Sequence, residues 1–360
     1  MRSFTFDALP GRVVFGVGSL AGLPDEVARL GTRVLVVADP TTKELADEAA
    51  LSLGSRFAGM FTDIQLHVPV EAVADARKAA EAVGADCLVT IGGGTTTGFG
   101  KAVVLESSIP LIAVPTTYAG SEMTPIYGIT SNGMKRTGRD LRVLPRTVIY
   151  DPALTTSVPP EVTGPSGMNA LAHCVEALYG KEANPITSLM AEEAIRALVH
   201  GIPASVRTPE DIEARTDALY GAYLAGAALA VVGMALHHRI CHVLGGTFGL
   251  AHGEVNAVIL PHVARFNQLA APEALDRVAR AMGAEDAACG LFDLAVSMGA
   301  PTSLAALGLG EADLEEASRL ASDPPPWNPR PASRSDVLQI LEDAFEGRRP
   351  RPQAGGPGGR

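Results

Sequence analysis

Aromatic side chains are scarce in this chain: 5% of its 360 residues, with a single tryptophan. Apolar residues still make up 47% of it, so a large core is expected, filled mainly by Ala, Val and Leu. Basic residues are also in deficit. Lys and Arg number 29 against 40 Asp and Glu, a net charge of −11. That balance argues against nucleic acid or an anionic membrane as partner. An acidic chain that binds anionic ligands must concentrate positive charge locally. Cysteine is limited to Cys87, Cys174, Cys241 and Cys289, with no C-x-x-C pair. Buried free thiols in a reducing cytoplasm are expected. The first residues, MRSFTFDALPGR, lack the apolar core of a signal peptide. Charge is absent from Ala218 to Leu236, long enough to cross a bilayer. Ala and Gly dominate that run and it leads into a histidine cluster, so a buried, tightly packed helix is expected instead.

The first half alternates strand and helix signals. Arg12–Phe15, Val34–Asp39, Cys87–Gly92, Leu111–Pro115 and Thr147–Tyr150 are short apolar runs, with helical patterns at Val73–Val83 and Thr97–Leu105 between them. Such runs predict a parallel sheet covered on both faces, an α/β Rossmann-like nucleotide-binding domain. After Asp151-Pro152 no strand pattern returns. Helices are predicted at Gly167–Tyr179, Ile186–Val199, Ile212–Leu244, Glu254–Asn267, Pro272–Met282 and Arg334–Phe345. The expected organisation is an α/β dinucleotide-binding domain over 1–157, an all-helical catalytic domain over 158–346 and a disordered tail over 347–360. A ligand crevice is expected between the two domains.

LVTIGGGTTTGFGKAV is the strongest motif of the first half. A strand ends at Gly92, glycines turn the chain, and Thr95, Thr96 and Thr97 open a helix whose free N–H groups suit a pyrophosphate. A plain tight turn is the alternative. Gly16-x-Gly18 lacks the full dinucleotide spacing and is expected to lead into a helix with Ser19 as N-cap. PTTYAGSEMT crowds the hydroxyls of Thr116, Thr117, Ser121 and Thr124 after a strand, where open α/β sheets bind ligands. Asp39 ends another strand. It is expected either to accept from ribose hydroxyls, favouring NADH over NADPH, or to cap the helix that follows.

Asn169 and His173 stand four apart, and His238 and His252 fourteen apart with His242 between them. On a helix, i and i+4 share a face. Four such positions build a divalent-metal cage if all carry ligands, and here one carries an amide. His237 is expected to be structural.

In order, VVFGVGSL, GGGTTTG, PTTYAGSE, GMNALAHCVEALY and AHGEVNAVILPH resemble the iron-containing (group III) alcohol dehydrogenase family over nearly the whole chain. Within it, GGGTTTGFGKA, PTTYAGSEMTPIYGIT, KRTGRDLRVLPRTVIYDP and WNPRP look like the maleylacetate reductase subgroup. The resemblance implies the two-domain fold of that family. It places the family's metal ligands at Asn169, His173, His238 and His252, with Asn where the family has Asp. A neutral amide is a poor ligand for Fe²⁺ or Zn²⁺, so a vestigial site without metal is expected, as the resemblance implies for the subgroup. Cofactor contacts are implied at Asp39, Gly93, Gly94, Thr95, Thr96, Thr97, Thr116, Thr117, Thr124 and Lys135. NADH is the expected cofactor, with NADPH left open.

The implied reaction is reduction of the carbon–carbon double bond of maleylacetate to 3-oxoadipate. His173, His238, His242, His252 and Asn169 form its catalytic group, and His242 and His252 are the candidates for proton donor and oxyanion partner. Lys101, Arg136, Arg239 and Arg330, with the Tyr118 hydroxyl, are candidates to bind the small dicarboxylate. A homodimer is implied. The alternative is a metal-dependent (Fe or Zn) dehydrogenase acting on a small ketone or aldehyde.

Overall fold

A computed structural model describes residues 4–9, 11–107, 109–131 and 134–352. Its first half contains β1 (Arg12–Phe15), α1 (Leu23–Ala28), β2 (Val34–Ala38), α2 (Lys43–Leu53), β3 (Phe57–Phe61), α3 (Val70–Ala82), β4 (Cys87–Gly92), α4 (Gly94–Val104), β5 (Leu111–Pro115), β6 (Ile126–Ser131), β7 (Met134–Arg139) and β8 (Thr147–Tyr150). Six strands form one parallel sheet in the order β1-β8-β5-β4-β2-β3, and β6 and β7 pair as a separate antiparallel hairpin. The inner strands β2, β4 and β5 are buried throughout, as covering a parallel sheet on both faces requires. Side chains alternate between two cores. Val34, Val36, Val89 and Ile91 pack with Leu23, Val27, Ala46 and Ala49. Leu35, Val37 and Leu88 pack with Val73, Ala76, Phe99 and Val103 on the other face.

The second half is helical: α5 (Pro160–Tyr179), α6 (Pro185–Arg207), α7 (Ile212–Val232), α8 (Leu236–Phe248), α9 (His252–Asn267), α10 (Pro272–Met282), α11 (Ala287–Ser297), α12 (Leu314–Ser322) and α13 (Arg334–Phe345). Among the described residues no single helix is long and apolar enough to cross a membrane. The helix expected over Ile212–Leu244 is two helices, bent by 102° at the break between Val232 and Leu236. Gly233 takes φ +80 there, a left-handed conformation open to glycine at little cost. The uncharged run is indeed packed inside: Ala218, Ala222, Ala225, Ala228 and Leu229 are all buried.

Two further expectations are corrected. Ser19 does not cap a helix. Its hydroxyl donates to Tyr150 O (3.0 Å), and Gly18 N–H and Leu20 N–H are taken by the Asp151 carboxylate (both 3.0 Å). Disorder does not begin at Gly347. Arg349 pairs with Asp293 (2.7 Å) and Pro350 O accepts from Cys289 Sγ (3.2 Å), holding this stretch on α11. Residues 353–360 of the expected tail lie outside the described residues.

The junction between the halves is tied by Arg215 on α7, which is fully buried. Its guanidinium donates to Pro209 O (2.8 Å), Tyr118 Oη (3.0 Å), Thr163 Oγ1 (2.9 Å) and Val158 O (2.9 Å). A planar fork can serve four directions at once, which a lysine ammonium on a flexible stem cannot. Arg215→Lys is therefore expected to lower stability by about 2–4 kcal/mol through stranded buried acceptors. A urea titration showing an unchanged midpoint would refute that role.

Candidate active site

The phosphate-binding candidate is built where β4 passes into α4. Gly92 takes φ +152. A Cβ there would lie 2.6 Å from Thr96 Oγ1 and 2.8 Å from Asp39 Oδ2, because the Thr96 hydroxyl donates to Asp39 (2.8 Å) across that point. Gly93 is the N-cap of α4, and the first intrahelical bond runs from Thr97 N to Gly93 O (3.1 Å). The N–H groups of Gly94, Thr95 and Thr96 therefore have no intrahelical partner at the positive end of the helix, which suits a pyrophosphate. The donors and the side-chain-free cradle fit a dinucleotide.

Asp39 takes the capping role. It caps the turn Pro40–Thr42 by accepting from Thr41 N (2.9 Å), and it holds Thr96. Thr95 is exposed, Thr97 and Thr116 are buried, and Thr117 packs beside Gly93. The Lys135 side chain lies outside the described residues.

The loop after β5 crosses from the sheet to the helices. Tyr118 N–H donates to Ser166 Oγ (3.0 Å), and Asn169 Nδ2 donates to Ala119 O (3.4 Å). Gly120, at φ +75, lies directly on Gly226 of α7 and beside His173 Nδ1.

Beneath this loop four imidazoles come together from three helices. His173 (α5) stacks on His238 (α8) with centroids 4.7 Å apart. His238 meets His242 edge-on at 6.2 Å, and His242 stacks on His252, the first residue of α9, at 5.9 Å. His173 and His238 are buried, whereas His242 and His252 are exposed. Burial pushes both buried rings well below the usual histidine range, and the neighbouring imidazoles push the same way. They are neutral at neutral pH.

Asn169 Oδ1, His173 Nδ1 and His238 Nε2 are buried with no protein partner among the described residues. Behind His238 sits a residue that the sequence did not flag, Glu176, fully buried and 2.7 Å from His238 Nδ1. Its only sequence signal is an acid three residues after His173 on the same helix. The set lacks an anionic ligand: the amide and the imidazoles are neutral, and the Glu176 carboxylate lies one hydrogen bond behind His238, so it would hold a divalent ion more weakly than a set with a carboxylate at position 169.

The substrate-binding candidates are largely corrected. Lys101 is fully buried, and burial pushes its ammonium down to about 7, with Glu122 pulling the other way. It donates to Ser121 O, Thr124 Oγ1 (3.0 Å) and Ile126 O (2.9 Å), so its donors, and the Thr124 hydroxyl with them, serve the loop. Tyr118 is buried against Arg215. Arg239 points away from the imidazoles to Leu320 O (2.8 Å) and Asp323 O (2.9 Å). Arg330 lies over the Phe266 ring at 4.0 Å. Arg136 is exposed on the hairpin, and no described contact brings it to the imidazoles. For Lys101, Arg239 and Arg330 the local sequence shows the cation but not the carbonyls that claim it.

Two family profiles match in succession: iron-containing alcohol dehydrogenase over residues 10–152, and the C-terminal part of the Fe-containing alcohol dehydrogenase family over residues 163–345. The chain belongs to this family. It is 51% identical over 351 residues to the maleylacetate reductase of Burkholderia cepacia, covering 97% of this chain and 100% of that one. The crystal structure of maleylacetate reductase from Agrobacterium tumefaciens superposes with a TM-score of 0.94 at 47% identity, covering 97% and 100% of the two chains. That of an iron-containing alcohol dehydrogenase from Corynebacterium glutamicum gives 0.93 at 43%, covering 97% and 98%. The α/β and helical halves are thus those of the family, and the protein is an oxidoreductase. Membership implies a cofactor of the NAD(H) type.

Proposed function

We propose that this oxidoreductase reduces the carbon–carbon double bond of maleylacetate to 3-oxoadipate, within the breakdown of aromatic compounds, and that it does so without a resident metal. The near-complete alignment with the Burkholderia cepacia enzyme carries the reading. The amide at Asn169, where the family resemblance places a carboxylate ligand, supports its metal-free form.

When bound, NADH supplies the hydride. The N-terminus of α4 and its glycines would hold the pyrophosphate, and Asp39 would lie near the ribose, where its charge repels a 2′-phosphate and favours NADH over NADPH. The substrate is a dicarboxylate whose alkene is conjugated to a ketone. Addition at the carbon β to that ketone drives negative charge onto the ketone oxygen. His242 and His252 are the exposed members of the cluster. One of them donates a hydrogen bond to that oxygen while the other delivers a proton to the adjacent carbon. An N–H donated by either ring also suits a carboxylate of the dianion. His173 and Asn169 shape the buried wall beneath, with the Asn169 amide anchored on Ala119 O. No step is assigned to a metal.

The test follows NADH absorbance with maleylacetate, in the presence and absence of a chelator, alongside metal analysis of the purified protein. Steady turnover in chelator with well under one iron or zinc per chain is expected. Absence of turnover would refute the substrate, and complete inhibition by chelator would refute the metal-free mechanism in favour of a metal-dependent dehydrogenase.

A further inference from the structure

Among the described residues Glu176, His237 and His238 form a compact group of potential ligands, all buried. Hydrogen bonding accounts for the group without a cation. One Glu176 oxygen accepts from His237 N (2.9 Å), and the other accepts from Ala235 N (2.8 Å) and faces His238 Nδ1 (2.7 Å). Any ion there would meet three donors. Ala235 is the N-cap of α8 and has no side-chain capping bond of its own, so Glu176 reaches across from α5 to take the first free N–H groups of that helix. Burial raises Glu176, and the two backbone N–H groups at the positive end of the helix pull the other way, each already donating to one carboxylate oxygen and so favouring the accepting, ionised form. An ionised carboxylate only accepts hydrogen bonds, so the ring nitrogen facing it must carry the proton. The other nitrogen, Nε2, is then a bare lone pair, buried and without a protein partner among the described residues.

We propose that Glu176 is a positioning residue that keeps the proton on Nδ1 of His238, makes Nε2 of that ring a permanent acceptor, and thereby leaves proton delivery to His242 or His252. The role in catalysis rests on the reductase reading above, but the tautomer itself does not. His238 and its stacked neighbour His173 form a neutral floor. Nε2 of His238 accepts from a donor, such as a water, held over that floor, and it cannot protonate the substrate. A glutamine at 176 offers one acceptor oxygen in place of two. Its NH2 must either oppose a backbone N–H of α8 or donate to His238 Nδ1, which sends the ring proton to Nε2.

The experiment is ¹⁵N–¹H correlation spectroscopy on the whole enzyme labelled at histidine, free of substrate, with the His238 signals assigned through His238→Asn. Wild type should show a protonated Nδ1 and a bare Nε2 at neutral pH. Glu176→Gln should move ring protons toward Nε2 and lower kcat by about 10–100-fold, the usual cost of losing such a partner, with the KM for NADH unchanged. A wild-type ring protonated on Nε2 would overturn the proposal. So would a Glu176→Gln enzyme that retains the wild-type nitrogen signals and kcat. If the variant does not fold, the wild-type spectrum decides alone. If maleylacetate is not the substrate, the spectrum still decides the tautomer.

Discussion

Replacing Gly226 with alanine is expected to lower kcat/KM by about a hundredfold, the scale of loss for a displacement near 1 Å at a reacting site. A Cβ at Gly226 would stand 2.7 Å from Gly120 O, 2.9 Å from Gly120 Cα and 3.2 Å from Gly120 C. All three are backbone atoms, so no side chain can rotate away. The contact is tight from the Gly120 side as well, where a Cβ would lie 3.1 Å from Gly226 Cα and 3.3 Å from His173 Nδ1. The loop must lift off α7. It would take with it Ala119 O, which anchors Asn169, and the Thr117 side chain packed beside Gly93. One added methyl thus disturbs the imidazole floor and the cofactor cradle together. Overpacking of this kind costs about 1–3 kcal/mol in stability. The comparison is Gly22→Ala, where a Cβ meets nothing within 4 Å. Steady-state kinetics and thermal unfolding of both variants decide the matter, and equal kcat/KM values would refute the role given to this contact.

Mild acid is expected to unfold the protein steeply. Burial pushes His237 down to about 3 and His262 down to about 4, and drives His173 and His238 well below their usual range. Between pH 6.5 and these lowered values, the unfolded chain binds protons that the folded chain refuses. Stability then rises with pH, and it is lost as pH falls through the same window. Each such histidine removes about 1.4 kcal/mol per pH unit. Glu176 and Glu122 act in the opposite sense, because burial raises both and the folded state gains protons on them as acid is added. The histidines outnumber them, four against two. His262 isolates the effect because it lies outside the imidazole cluster. Its Nε2 is buried and has no protein partner among the described residues. Urea midpoints at pH 7, 6 and 5 should fall progressively, and His262→Asn should flatten the decline, recovering about 3 kcal/mol by pH 4. Parallel curves for wild type and variant would show that His262 takes no part.

Five of the six strands of the described parallel sheet were readable almost to the residue. β4, β5 and β8 are unbroken apolar runs closed by Gly, Pro or Asp, because strands buried on both faces need no polar alternation. β3 escaped notice: Phe57–Phe61 is half-buried at the sheet edge with a glycine in its middle. The β6–β7 hairpin did so because its polar sequence reads as loop. The turn at Gly233 was hidden in a monotony of Ala and Gly, where helical periodicity carries no phase. At the site, the histidine spacing pointed to the right helices, since i, i+4 geometry is local. Cations did not yield to the same reading. Lys101, Arg239 and Arg330 are claimed by carbonyls distant in sequence, and such partners have no signature near the cation itself. Glu176 and Arg215 went unread for the same reason: their partners across the fold lie more than fifty residues away in sequence.

Glu176 also couples two selective pressures that most enzymes keep apart. One carboxylate both terminates the backbone of α8 and instructs a ring in the reaction chamber, so drift at this position cannot trade folding against turnover. A lineage abandoning the acid would first have to acquire a local hydroxyl or carboxamide at position 235 to seal the helix. Even then it would inherit a His238 free to choose its own proton.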